Sequence, residues 1–105
     1  MSTRGSKPSL ARAGVDLRLY VAGDAPNSTA AQENLRVFLA RYPGALFRLE
    51  IVDVLKEPDR GMRDGVVVTP MLLKVTPKPA RRVVGNLRDE SMLLSVLDLE
   101  KLPRE

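Results

Sequence analysis

VDLRLYVAGDAPNS, residues Val15 to Ser28, joins an alternating apolar run to a Gly-Asp-Ala-Pro turn and then to polar residues able to open a helix. Val15, Leu17, Leu19 and Val21 alternate with Asp16, Arg18 and Tyr20, which predicts a strand with one strongly apolar face. Gly23 to Pro26 breaks that strand, and Asn27 or Ser28 is expected to cap the orphan amides of the helix that follows. Many small α/β proteins place their chemistry on such a strand, turn and helix N-terminus. This turn holds no cysteine, histidine or metal-ligand cluster, so the scaffold points to binding rather than to catalysis.

Outward from that stretch, Ala31, Leu35, Phe38, Leu39 and Tyr42 fall on one helical face, and Pro43 and Gly44 end the helix. Phe47, Leu49 and Ile51 alternate with Arg48 and Glu50, and Ile51 to Leu55 continues as a more buried strand. A strand, a helix and a second strand of these lengths predict a right-handed parallel βαβ unit. Lys56 to Gly65 is polar and interrupted, with a short helix expected from Pro58. Val66 to Val68 leads into Thr69-Pro70 and the apolar run Met71 to Val75, where Pro70 suits a strand entrance because no ladder donor is needed there. Thr76 to Pro79 is a turn, and Arg81 to Gly85 returns as the second strand of an antiparallel hairpin. Asp89 can cap a last helix over Asp89 to Lys101, with Met92, Leu93, Val96, Leu97 and Glu100 on one face. Leu94 and Leu99 widen that face, so the helix is expected either to be covered on more than one side or to meet another chain, with a dimer or tetramer favoured. The order is β-α-β-α-β-β-α in one α/β domain over residues 15–102, with a flexible basic tail at 1–14 and a short tail at 103–105.

Composition narrows the function. A chain of 105 residues has the size of one domain. The absence of cysteine excludes disulfides, thiol nucleophiles and thiolate metal sites within the chain. No run approaches the roughly 20 apolar residues that cross a bilayer, and a cytoplasmic location is expected. The net charge of +4 invites a nucleic-acid reading. Two Tyr, two Phe and no Trp leave little to stack on bases, so an acidic protein surface is the preferred partner. Asp24 and Asn27 are explained by turn formation and capping, and no cofactor, metal or enzymatic activity is expected.

The element order, with Thr-Pro before the third strand, looks like the thioredoxin fold, whose redox members carry two cysteines in the first turn. LRLYVAGDAPNS (Leu17 to Ser28), IVDVLKEP (Ile51 to Pro58), VTPMLLKVTPKPARRVVGNL (Val68 to Leu87) and LDL (Leu97 to Leu99) resemble a non-redox branch, the KaiB family of circadian clock proteins. The resemblance implies a regulatory adapter that binds a KaiC-like ATPase, with a thioredoxin-like sensor or binding module for a histidine kinase as the alternative. It also implies a second, ground-state fold, β-α-β-β-α-α-β, differing in the C-terminal half. The candidate contacts that it implies are Asp53 and Lys56 and a basic patch of Lys74, Arg81 and Arg82. Pro70, Gly85, Val96 and Asp98 are implied as structural or fold-switch positions. Val96 stands where clock-type members carry glycine, which points to a paralogue or a non-cyanobacterial homologue.

Overall fold

A computed structural model of the chain describes residues 14–43 and 46–99. Its elements are β1 (Gly14–Val21), α1 (Pro26–Leu39), β2 (Leu46–Asp53), α2 (Pro58–Arg63), β3 (Met71–Thr76), β4 (Arg81–Val84) and α3 (Glu90–Val96). The sheet order is β2-β1-β3-β4. β1 and β2 run parallel, whereas β1 with β3 and β3 with β4 are antiparallel. This is the thioredoxin-like α/β order expected from the sequence. All of the N-terminal segment read as a tail except Gly14, and the C-terminal residues from 100 onward, lie outside the described residues.

The two faces of the sheet are unequal. Val15, Leu17, Leu19 and Val21 of β1 meet Ala31, Leu35, Phe38 and Tyr42 from α1 and its C-terminal turn, together with Leu93 and Val96 of α3. On the opposite face only Tyr20, Val52, Met71 and Leu73 form a buried cluster, with Val54, Val66 and Val75 packed against it. The α2 sequence PDRGMR has little apolar surface to bury, and its Met62 points outward. Polar contacts therefore hold that helix, as described below.

Three details depart from the sequence reading. First, α1 starts at Pro26, with Ala25 at the N-cap and no capping side chain, because a proline pre-set for helical φ opens the helix ahead of Asn27 and Ser28. Ser28 is buried instead, and its Oγ accepts a hydrogen bond from the Ala22 amide at 3.1 Å. Second, Ile51 to Leu55 is not a buried strand. As an edge, β2 buries only Val52, ends at Asp53 and leaves Leu46, Leu49 and Ile51 exposed. Third, α3 ends at Val96 rather than continuing to Lys101, with Leu97 at its C-cap and Asp98 at φ +57°. Met92, within the helix, is exposed, and beyond the early stop Leu99 returns to the core, where Leu94 also packs. Of the two readings of Leu94 and Leu99, packing within this chain is the one observed; Glu100 and Lys101 lie outside the described residues.

Candidate protein-interaction surface

The turn after β1 is built around one carboxylate. Asp53 sits at the end of β2 opposite Val21, and its Oδ1 accepts hydrogen bonds from the Gly23 amide at 3.0 Å and the Leu55 amide at 2.9 Å. Those two amides hold the Asp53 carboxyl below its ordinary value, since they bond its charged form. Gly23 adopts φ +57°, which glycine accepts without steric cost. The candidate contact Asp53 is thus turned onto its own backbone, while Lys56, three residues on, is exposed.

Between Leu55 and Val68 the chain exposes apolar side chains instead of reactive ones. Leu55 is 71% exposed, Met62 76% and Val67 92%, with Val68 also exposed, and a shallow groove of about 220 Å³ runs between Val54, Pro58, Met62, Val66 and Val67. Sequence reading did not anticipate this patch, because Val66 to Val68 look like a strand entrance. The signal available was a run of three β-branched residues immediately before Thr-Pro, where a ladder partner is not assured. Thr69-Pro70 is a cis peptide, and the Pro70 carbonyl accepts from the Gly85 amide at 2.9 Å, tying the β3 entrance to the end of β4. Gly85 has φ +120°, a conformation closed to other residues at this join.

Beneath the patch, α2 is fastened by a polar network that sequence reading also missed. Tyr20, fully buried, donates its hydroxyl to Asp64 and, at 3.3 Å, to the Arg60 carbonyl. Arg18 donates to the same Asp64 carboxylate at 2.6 Å, and Arg60 grips Glu50 through two hydrogen bonds of 2.5 and 2.7 Å. Burial pushes the Asp64 carboxyl up, but the Tyr20 and Arg18 hydrogen bonds outweigh it and hold the group below its ordinary value. The Arg60 clasp does the same for Glu50.

The basic patch of Lys74, Arg81 and Arg82 does not exist as one surface. Lys74 lies opposite Arg81, and Leu73 opposite Arg82, so the two arginines project from opposite faces of the hairpin. Lys74 is 1% exposed and reaches Asp98 with Nζ 3.6 Å from Oδ2. It is therefore a core lysine on the α3 side. Arg82 lies on the α2 side, donating to the Gly65 carbonyl at 3.4 Å. Val96 packs in the main core, and Asp98 holds its left-handed turn beside Lys74.

Among the described residues, no group of three or more histidine or acidic side chains is arranged to hold a metal, and no helix is long and apolar enough to cross a membrane. What the described residues expose between positions 55 and 68 is apolar, Leu55, Met62, Val67 and Val68, following a turn fixed by the Asp53 hydrogen bonds.

Comparison with known proteins gives the same answer in fold and in family. The N-terminal domain of Synechococcus elongatus SasA, in solution, superposes with a TM-score of 0.69 at 23% identity, covering 95% of this chain and 97% of that one. Mitochondrial thioredoxin 3 from Saccharomyces cerevisiae superposes with a TM-score of 0.63 at 17% identity, covering 85% and 82%. At the level of sequence, the circadian clock oscillator protein KaiB of Prochlorococcus marinus (strain MIT 9312) is 42% identical over 83 residues, 79% of each chain. The KaiB domain model matches residues 18–99, from the second half of β1 through the turn after α3. With a thioredoxin-like sheet, no thiol in its first turn and a family match over residues 18–99, the chain belongs to the KaiB family.

Proposed function

We propose that this protein is a non-enzymatic regulatory adapter in a clock-type or stress signalling system, where it binds a KaiC-like ATPase and modulates its phosphorylation or signalling output. The observation that carries this reading is the KaiB match across residues 18–99 on a scaffold whose first turn lacks a nucleophile. The exposed apolar side chains Leu55, Met62 and Val67, with exposed Lys56 next to Leu55 in the chain, suit an ATPase surface bearing acidic residues. Arg82, on the α2 side, adds a second cation, whereas Lys74 is buried and takes no part in this surface. The site of action is the cytoplasm.

A change of fold in the C-terminal half is part of this proposal. Two non-glycine residues, Leu87 and Asp98, bracket α3 with φ +62° and +57°. Left-handed backbone at such residues costs roughly 1 kcal/mol or more each, so the half after β3 holds strain that a second packing would release.

The test is co-elution of the purified protein with its cognate KaiC-like ATPase in ATP and in ADP. Nucleotide-dependent association that Val67→Asp abolishes, with no change in melting temperature, supports the adapter reading. Recovery of a histidine kinase and no ATPase from the same extract would replace it with the sensor alternative.

A further inference from the structure

Side chains open to oxidation are few and unequally placed. The chain has no cysteine and no tryptophan, and its four methionines are Met1, Met62, Met71 and Met92. Met1 lies outside the described residues. Met71 is 3% exposed in the cluster formed with Tyr20, Val52 and Leu73, with Arg82 Nη1 4.0 Å from its Sδ. Met92, on α3, is 47% exposed, whereas Met62 on α2 is 76% exposed. A peroxide must reach a thioether through solvent, so Met62 is the most accessible sulfur among the described residues.

The fold explains why this side chain is outside. α2 rests on the sheet through buried Gly61, where a Cβ would lie 3.1 Å from Val54 Cγ1, so the helix and the end of β2 approach closely at that point. The helix is fastened by Tyr20 and Arg18 to Asp64 and by Glu50 to Arg60, contacts in which Met62 has no share. Its side chain instead lines the shallow groove beside Val54, Val66 and Val67. Position 62 therefore shapes the surface without holding the helix in place.

We infer that Met62 is a reversible oxidation site that sets the polarity of this groove. A lone pair on Met62 Sδ attacks one oxygen of hydrogen peroxide; the S–O bond forms as the O–O bond breaks, and the departing hydroxide takes a proton and leaves as water. Sulfur gives up two electrons and the peroxide accepts them. The product is a sulfoxide, a strong hydrogen-bond acceptor set among valines, and it disfavours covering the groove with an apolar partner surface. Return to the thioether takes a sulfoxide reductase, whose dithiol becomes a disulfide while the oxygen leaves as water. The effect on docking rests on the adapter reading above, whereas the site itself does not. Because the attachments of α2 bypass Met62, its oxidation changes the surface and leaves stability intact.

Methyl-labelled methionine reports each site as a separate NMR signal. In dilute hydrogen peroxide the Met62 signal is expected to convert first, Met92 later, and Met71 at least about tenfold more slowly than Met62. With Met62 converted, the melting temperature is expected to stay constant and the affinity for the cognate KaiC-like ATPase to fall about tenfold. A sulfoxide reductase supplied with a dithiol is expected to restore it. Met92→Leu should keep this response and Met62→Leu should lose it. Met1 and Met71 remain in Met62→Leu, so that loss assigns the response to position 62. Conversion of Met92 or Met71 ahead of Met62, a lower melting temperature on conversion of Met62 alone, or a response that survives Met62→Leu would each overturn the proposal. So would an oxidised protein that binds as tightly as the untreated one. If the untreated protein binds no ATPase, the adapter reading falls and the docking effect with it, while the order of NMR conversion still decides the site.

Discussion

Tyr20→Phe is the most informative single change, since it removes one oxygen atom from the attachment of α2 and leaves the side-chain volume nearly intact. In the native structure the buried hydroxyl donates to Asp64, which also accepts from Arg18 at 2.6 Å. A hydrogen bond to a charged group contributes about 1.5–3 kcal/mol. Asp64 keeps Arg18 and is 21% exposed, so water takes part of the hydroxyl's place and the lower end applies, about 1.5 kcal/mol. For a domain of this size that lowers the melting temperature by about 6–12 °C. The pH dependence identifies the cause. The native Asp64 carboxyl lies below its ordinary 3.8, so the stabilisation is complete at neutral pH and is lost as pH falls through the native value. The gap between wild type and Tyr20→Phe, measured by urea unfolding, should be widest near pH 7 and close below about pH 4. Equal stability at pH 7, or a gap that persists unchanged into acid, would refute the account of α2 as a helix held by polar contacts.

Other outcomes follow from single positions. Gly23→Ala places a Cβ 3.3 Å from the Leu55 side chain on a backbone at φ +57°, and thermal melts should show a loss of about 1–2 kcal/mol. Leu35→Ala, at a fully buried site in the larger core, should cost about 2–5 kcal/mol by urea titration. Asp98→Ala leaves the Lys74 ammonium without its ion pair and should lower the urea midpoint, and adding Lys74→Met should recover the loss.

The N-terminal half was legible because one periodicity dominates each of its segments. The alternation from Val15 to Val21 and the helical row Ala31, Leu35, Phe38 and Tyr42 leave few competing readings, and both face the core as expected. Alternation failed at Phe47, Leu49 and Ile51 for a physical reason: it reports which residues share a face, and not whether anything covers that face at an edge. Lys74 failed in the opposite sense. A lysine in a short strand is usually solvated, and here the distant Asp98, brought back by the turn after α3, gives the buried ammonium an ion pair. The Asp64 network joins residues 40 and more positions apart, so no local pattern could disclose it. Motif resemblance reached the family without reaching the contacts: within the proposed basic patch it combined residues that the β3–β4 register sends to opposite faces.

The Asp53 clasp has a kinetic consequence. Because one carboxylate oxygen takes both the Gly23 and the Leu55 amide hydrogens, the turns that follow β1 and β2 cannot open independently without leaving an amide unbonded. Their amide protons should exchange with solvent in a single correlated opening, which makes the two turns one dynamic unit at the end of the parallel strand pair. A partner docking on Leu55 would then slow exchange at Gly23, a residue it need never touch.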